Sequence, residues 1–120
     1  AVTAGIGNAI DVSKSYEYTR EKRIGTINTW IIINAKLSEE AFIQAMITAT
    51  EAKTKAIQHM NIMDPYSGTL ATGTPTDSLL VAATQIGTKV PFAGPVTELG
   101  MLIGRGIFEC TIKAISKTQS

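Results

Sequence analysis

"TINTWIIINAKLSEE" occupies residues 26–40 and decides the fold. Its first nine residues are rich in β-branched side chains and nearly apolar from 30 to 33, which predicts a central strand over 26–34. Ser38 then offers a side-chain oxygen to cap a helix, and Glu39 and Glu40 stand where the positive end of a helix dipole favours carboxylates. The helix is predicted to run to about His59. Phe42, Ala45, Met46, Ala49, Ala52, Ala56 and Met60 recur at helical spacing and are expected to face the core. Gln44, Thr48, Glu51, Lys55 and Gln58 form the opposite, polar stripe, with Lys55 four residues after Glu51 as a solvated partner.

Working outward, "AVTAGIG" (1–7) reads as a short strand running into a glycine turn, and residues 11–24 as a polar loop or irregular hairpin arm. "DPYSG" (64–68) is turn chemistry. "GTLATGTPTDSLLVAA" (68–83) packs four threonines, two glycines, a proline and an aspartate in front of a short buried strand, "LLVAA" (79–83). "GTKVPFAGP" (87–95) is a loop with two prolines, and a second helix is expected from about Val96 to Ser116. Its apolar ridge is Leu99, Ile103, Ile107, Cys110 and Ala114, with Arg105, Glu109 and Lys113 on the wet face. Strand, helix, strand, helix in this order predict an α/β domain: a mixed, partly parallel sheet covered by two long helices. Strands 26–34 and 79–83 should be parallel, and the first strand antiparallel to the second.

A chain of 120 residues supports one compact domain, able to bury roughly two-thirds of its unfolded surface. Hydrophobic content of 44% and charged content of 18% describe a globular chain rather than a disordered one. Net charge is +1, and the basic cluster "REKR" (20–23) is offset by Glu21, so neither a nucleic-acid stripe nor attraction to an anionic membrane is indicated. The stretch 99–115 carries Arg105, Glu109 and Lys113, which excludes a membrane span there. Cys110, the single cysteine, permits no internal disulfide and fits a reducing compartment. The chain opens on Ala1 rather than methionine, which suggests processing or a piece of something longer.

Few residues carry obvious chemistry. "GIGNAI" lacks the third glycine of a dinucleotide fingerprint, and no Walker lysine follows a glycine loop. With His59 the single histidine, a histidine-rich metal site is impossible within one chain, and no protein metal ligands are predicted. Cys110 is expected as a buried, inert thiol and His59 as a surface or capping residue. The glycines at 100, 104 and 106 flatten one side of the second helix, for packing on the sheet or for a large ligand.

The loop 72–78, "TGTPTDS", is the best local candidate. Hydroxyls and backbone N–H groups can hold an amide or stabilise an oxyanion, and Asp77 at the mouth of a strand can activate water. The same residues can also cap the turn through local bonds, and the pattern leaves both roles open. Asn28 and Asn34 border a buried strand and need hydrogen-bond partners in either case.

Five phrases go further together. "TAGIGNA" (3–9), "GTINTWIIINAKLS" (25–38), "ITATEAKTKAI" (47–57), "SGTLATGTPTDSLLVAA" (67–83) and "GPVTELGMLIGRGIFE" (94–109) resemble, in order and spacing, the adenosylcobinamide amidohydrolase family. The resemblance implies hydrolysis of the amide joining aminopropanol to the corrin side chain, releasing cobyric acid for cobalamin salvage. It implies a cytoplasmic enzyme without a cofactor of its own, since cobalt belongs to the corrinoid substrate. Family members extend well before "AVTAGIGNA", so residues 1–120 correspond to their C-terminal portion, and some carry the domain fused to a transporter ATPase. Pro75 is a rigid residue within the matching loop.

On this footing the candidate catalytic residues are Asp77, Glu51 and Thr74, with water activated by Asp77 or Glu51 and a threonine nucleophile as the alternative. Thr72, Gly73, Thr76, Asn28, Asn8 and Thr26 are the candidate substrate-binding residues. A homodimer is expected, because an edge or face meant for an absent segment tends to be covered by another copy. The rival reading is a non-catalytic corrinoid-binding or sensor module linked to a corrinoid transporter.

Overall fold

In the computed structural model, which describes residues 1–119, the chain runs β1 (Val2–Gly5), β2 (Thr26–Ile33), β3 (Lys36–Leu37), α1 (Glu39–His59), β4 (Ser78–Ala83), β5 (Lys89–Val90) and α2 (Glu98–Gln119). The main sheet has the order β1-β2-β4. β1 is antiparallel to β2, with Val2 opposite Thr29, and β4 is parallel to it, from Asn28 opposite Ser78 to Ile33 opposite Ala83. This is the predicted mixed sheet in a single α/β domain. The small parallel pair β3–β5 was not expected: strands of two residues leave no periodicity to read, and residues 87–95 had looked like plain loop.

Side-chain alternation along β2 orients the layers. Ile27, Thr29 and Ile33 are buried towards the helices, whereas Trp30 (57% exposed) and Ile32 (76% exposed) stand on the other face. Both helices therefore cover the same side of the sheet. Asn28 is on the uncovered face, where it accepts from Ser78 Oγ at 2.6 Å and donates to Thr3 Oγ1 at 3.3 Å.

α1 begins where Ser38 predicts it, with Ser38 Oγ accepting from Ala41 N at 3.0 Å. Its core stripe is almost all alanine (Ala41, Ala45, Ala49, Ala52, Ala56), which lets the helix lie close to the sheet and to α2. Two expectations on this helix are corrected. Met46 is exposed, and Thr48, assigned to the polar stripe, is buried. The segment carrying Ala93 crosses the helix at this point: Thr48 Oγ1 donates to Ala93 O at 3.0 Å, and Gln44 Oε1 accepts from Ala93 N at 2.8 Å. Gly100 packs on the loop at 93–94 rather than on the sheet, because a Cβ there would collide with the Gly94 carbonyl.

Along α2 the buried positions after Gly100 are Ile103, Ile107, Thr111 and Ile115. A four-residue step places Thr111 under the sheet and leaves Cys110 exposed, beside the apolar trough between α2 and β2. The buried-thiol expectation is thus overturned. Gly106 lines the same trough and meets nothing where its Cβ would be. His59 is exposed in the last turn of α1, its ring edge-on to Phe108 at 5.5 Å.

The irregular segment after β1 is pinned by a charged hub. Asp64 is fully buried and takes Arg20 bidentately, at 3.1 Å from Nη1 and 2.6 Å from Nη2, together with the N–H groups of Asp11 and Tyr66 at 2.9 Å each. Tyr66 and Tyr18 flank the guanidinium, their ring centres 4.8 and 5.9 Å from it. The Arg20 guanidinium holds the Asp64 carboxyl well below the ordinary carboxylate range. Asp11 is lowered too, chiefly by the Thr69 hydroxyl at 2.6 Å and then by Ser13.

Candidate active site

The threonine-rich loop leads into β4, and most of its hydroxyls are spent holding its own frame. Thr72 Oγ1 donates to Ile10 O at 3.2 Å and accepts from Val12 N at 3.1 Å. Thr76 Oγ1 donates to Gly25 O at 2.9 Å, while Thr26 Oγ1 donates to Thr76 O at 2.7 Å. Thr72 and Gly73 N–H both donate to Ile10 O, at 2.8 and 3.3 Å. These bonds tie the loop to the start of β2 and to residues 10–12, so its conformation is fixed by chain segments about 50 to 60 residues away in sequence.

Asp77 is the centre of the arrangement. Its Oδ1 accepts from Thr74 Oγ1 at 2.5 Å and from Ile27 N at 3.2 Å; its Oδ2 accepts from Thr74 N at 3.1 Å and from Lys53 Nζ at 3.1 Å. Four donors match the roughly four lone-pair sites of a carboxylate. Lys53 reaches in from α1 and also donates to Thr72 O at 2.9 Å, so two of its three N–H bonds are used. The side chains of Lys53 and Asp77 are 15% and 23% exposed, so the pair lies at the rim of the fold, partly shielded from water. Gly73 makes room for them: a Cβ at this position would collide with Asp77 Oδ2 and stand 2.7 Å from Lys53 Nζ.

The pair opens on a cleft of about 160 Å³ between β4 and α1, lined by Ile27, Thr29, Thr50, Lys53, Asp77 and Leu79 among others. Ligand pockets for whole small molecules are typically ~300–1,000 Å³, so this cleft has room for one arm of a large ligand rather than its body.

Of the residues singled out by sequence, the fold gathers Asp77, Thr74, Gly73, Thr72, Thr76 and Thr26 into one loop-and-strand junction. Asn8 lies nearby, its Nδ2 donating to Gly25 O at 2.9 Å, and it shares a second cleft with Thr76 and Arg20. Two residues are not brought in. Asn28 points to the uncovered face, and Glu51 is exposed on α1 outside the cleft lining, with no ion pair to Lys55 among the described residues. Lys53 was missed. The signal was present, because Lys53 follows core Ala49 by four residues and so places a charge on the inward flank of an amphipathic helix. Among the described residues no three His, Cys, Asp or Glu side chains converge.

Fold and loop together define a small α/β domain with one charged pair at the mouth of an edge cleft. The chain belongs to the adenosylcobinamide amidohydrolase family, whose model matches residues 1–120. It is 32% identical over 123 residues to the adenosylcobinamide amidohydrolase of Methanosarcina mazei, a match covering 95% of this chain and 52% of that protein. It is 39% identical over 98 residues to an uncharacterized protein of Methanocaldococcus jannaschii, covering 81% of this chain and 38% of the relative. The chain thus spans about half or less of the curated relatives it matches. No solved structure matches it. Among the described residues no helix is long and apolar enough to cross a membrane.

Proposed function

We propose that the protein hydrolyses the amide between aminopropanol and the corrin side chain of adenosylcobinamide, giving cobyric acid, in the cytoplasm and as a homodimer. Membership of the family supports the substrate class. The observation that carries the reading is the Asp77 carboxylate at the lip of a cleft sized for one side-chain amide. Asp77 serves as general base on a water held in the cleft. Thr74 lies behind it, buried and outside the cleft lining, and orients the carboxylate rather than attacking substrate. The loop frame keeps that carboxylate in place. The corrin ring stays outside and needs no metal from the protein, since cobalt arrives with the substrate.

Amide hydrolysis requires the barrier to fall by ~15 kcal/mol. A general base contributes about 10²–10⁴-fold and an oxyanion donor about 10²–10³-fold, so positioning of the amide must supply the rest. Incubating the full-length protein with adenosylcobinamide and chromatographing the corrinoids tests the reading; cobyric acid and aminopropanol are the expected products. A second reading, a corrinoid-binding or sensor module associated with a transporter, is favoured by the saturation of all four acceptor sites of Asp77. It predicts a spectral or thermal shift on binding with the corrinoid recovered intact.

A further inference from the structure

We propose that Lys53 and Thr29 form the oxyanion hole of this site, a role that the threonine loop had been expected to fill. The proposal rests on the hydrolytic reading above and specifies which groups meet the developing charge.

Most of the loop's donors are already committed. The N–H groups of Thr72 and Gly73 go to Ile10 O, that of Thr74 to Asp77 Oδ2, and that of Thr76 to Thr74 Oγ1 at 3.4 Å. The hydroxyls of Thr72, Thr74 and Thr76 are committed to Ile10 O, Asp77 Oδ1 and Gly25 O. Of the hydroxyls in the cleft wall, Thr50 donates to Met46 O and Ser78 to Asn28 Oδ1. Thr29 differs. It is 4% exposed, lines the cleft from β2, and its hydroxyl has no partner among the described residues. Its oxygen is not sealed in the core, so the free hydroxyl is open to the cleft, where a ligand atom can bond to it. Lys53, on the facing helix, has one N–H left over.

The charges make the same point. Lys53 and Asp77 form a neutral pair, and the rest of the lining is uncharged, which suits an uncharged amide. When water attacks, its oxygen bonds to the carbonyl carbon, its proton passes to Asp77 Oδ2, and the carbonyl π pair moves onto oxygen. Asp77 loses its negative charge as the oxyanion gains one. Protonation of Oδ2 releases its bond from Lys53, and the ammonium, which already has one N–H free, donates to the oxyanion together with Thr29. Collapse restores the carbonyl and breaks the C–N bond, while the proton on Asp77 goes to the departing amine nitrogen. One ammonium thus exchanges one anionic partner for another within a fixed frame, with little reorganisation.

Thr29→Val is the clean test, since it removes the hydroxyl and keeps the shape. In the full-length protein we expect kcat for adenosylcobinamide to fall at least tenfold with KM nearly unchanged and the melting temperature equal or higher. Lys53→Met should lower kcat by about 10²-fold or more, and Lys53→Arg should recover part of it. Wild-type kcat in Thr29→Val or Lys53→Met overturns the assignment, as does a loss that appears wholly in KM. If the unaltered protein binds adenosylcobinamide and leaves it intact, the hydrolytic reading itself falls and this role with it.

Discussion

At the scale of single residues, Asp77 is both a candidate base and a structural acceptor, and substitution separates the two. Asp77→Asn puts an amide NH₂ against N–H donors from Thr74, Ile27 or Lys53, so it should cost about 1–3 kcal/mol of stability and at least about 10²-fold in rate. Glu51→Gln, on an exposed position outside the cleft, should leave both the melting point and single-turnover rate near wild type. Comparable rate losses in the two variants would count against Asp77 as the base. Thr111 gives a prediction of opposite sign. It is wholly buried and its hydroxyl lacks a partner among the described residues, so Thr111→Val should stabilise the fold by about 1–2 kcal/mol in denaturant melts.

At the scale of elements, the sequence was legible where periodicity runs long enough. The β-branched run 26–33 and the alanine stripe of α1 carry their burial in their spacing, and Ser38 marks the helix start. What resisted reading depends on partners distant in sequence. Thr48 became a core residue because Ala93 crosses it, and the loop hydroxyls proved to be a frame because Thr26 and Gly25 meet Thr76. No local pattern encodes those encounters, and Lys53 acquires its role only when α1 and the loop dock. The hub joining residues 11–20 to the 64–69 turn makes a prediction at the same scale. Asp64 and Asp11 both lie below the ordinary carboxylate value of 3.8 in the fold. Their stabilising contribution is therefore complete above about pH 4 and is lost as pH falls through the lower folded values. Thermal melts at pH 7 and pH 3 should show that loss. Asp64→Asn should cost about 3–5 kcal/mol at pH 7 by stranding Arg20, and should flatten the remaining pH dependence.

For the whole molecule, the decisive feature is that both helices lie on one side of a three-stranded sheet, leaving Trp30, Ile32 and Leu80 on the other. The proposed homodimer would cover apolar surface of this kind, and light scattering at increasing concentration tests it; a monomer throughout would dismiss it. Trp30 is the chain's single tryptophan, 57% exposed, whereas the Asp77 cleft opens on the helix side. The protein thus carries its own optical gauge. Its fluorescence should be red and water-like while the face is bare, move to the blue as another surface settles over it, and stay blind to an Asp77→Asn substitution behind the sheet.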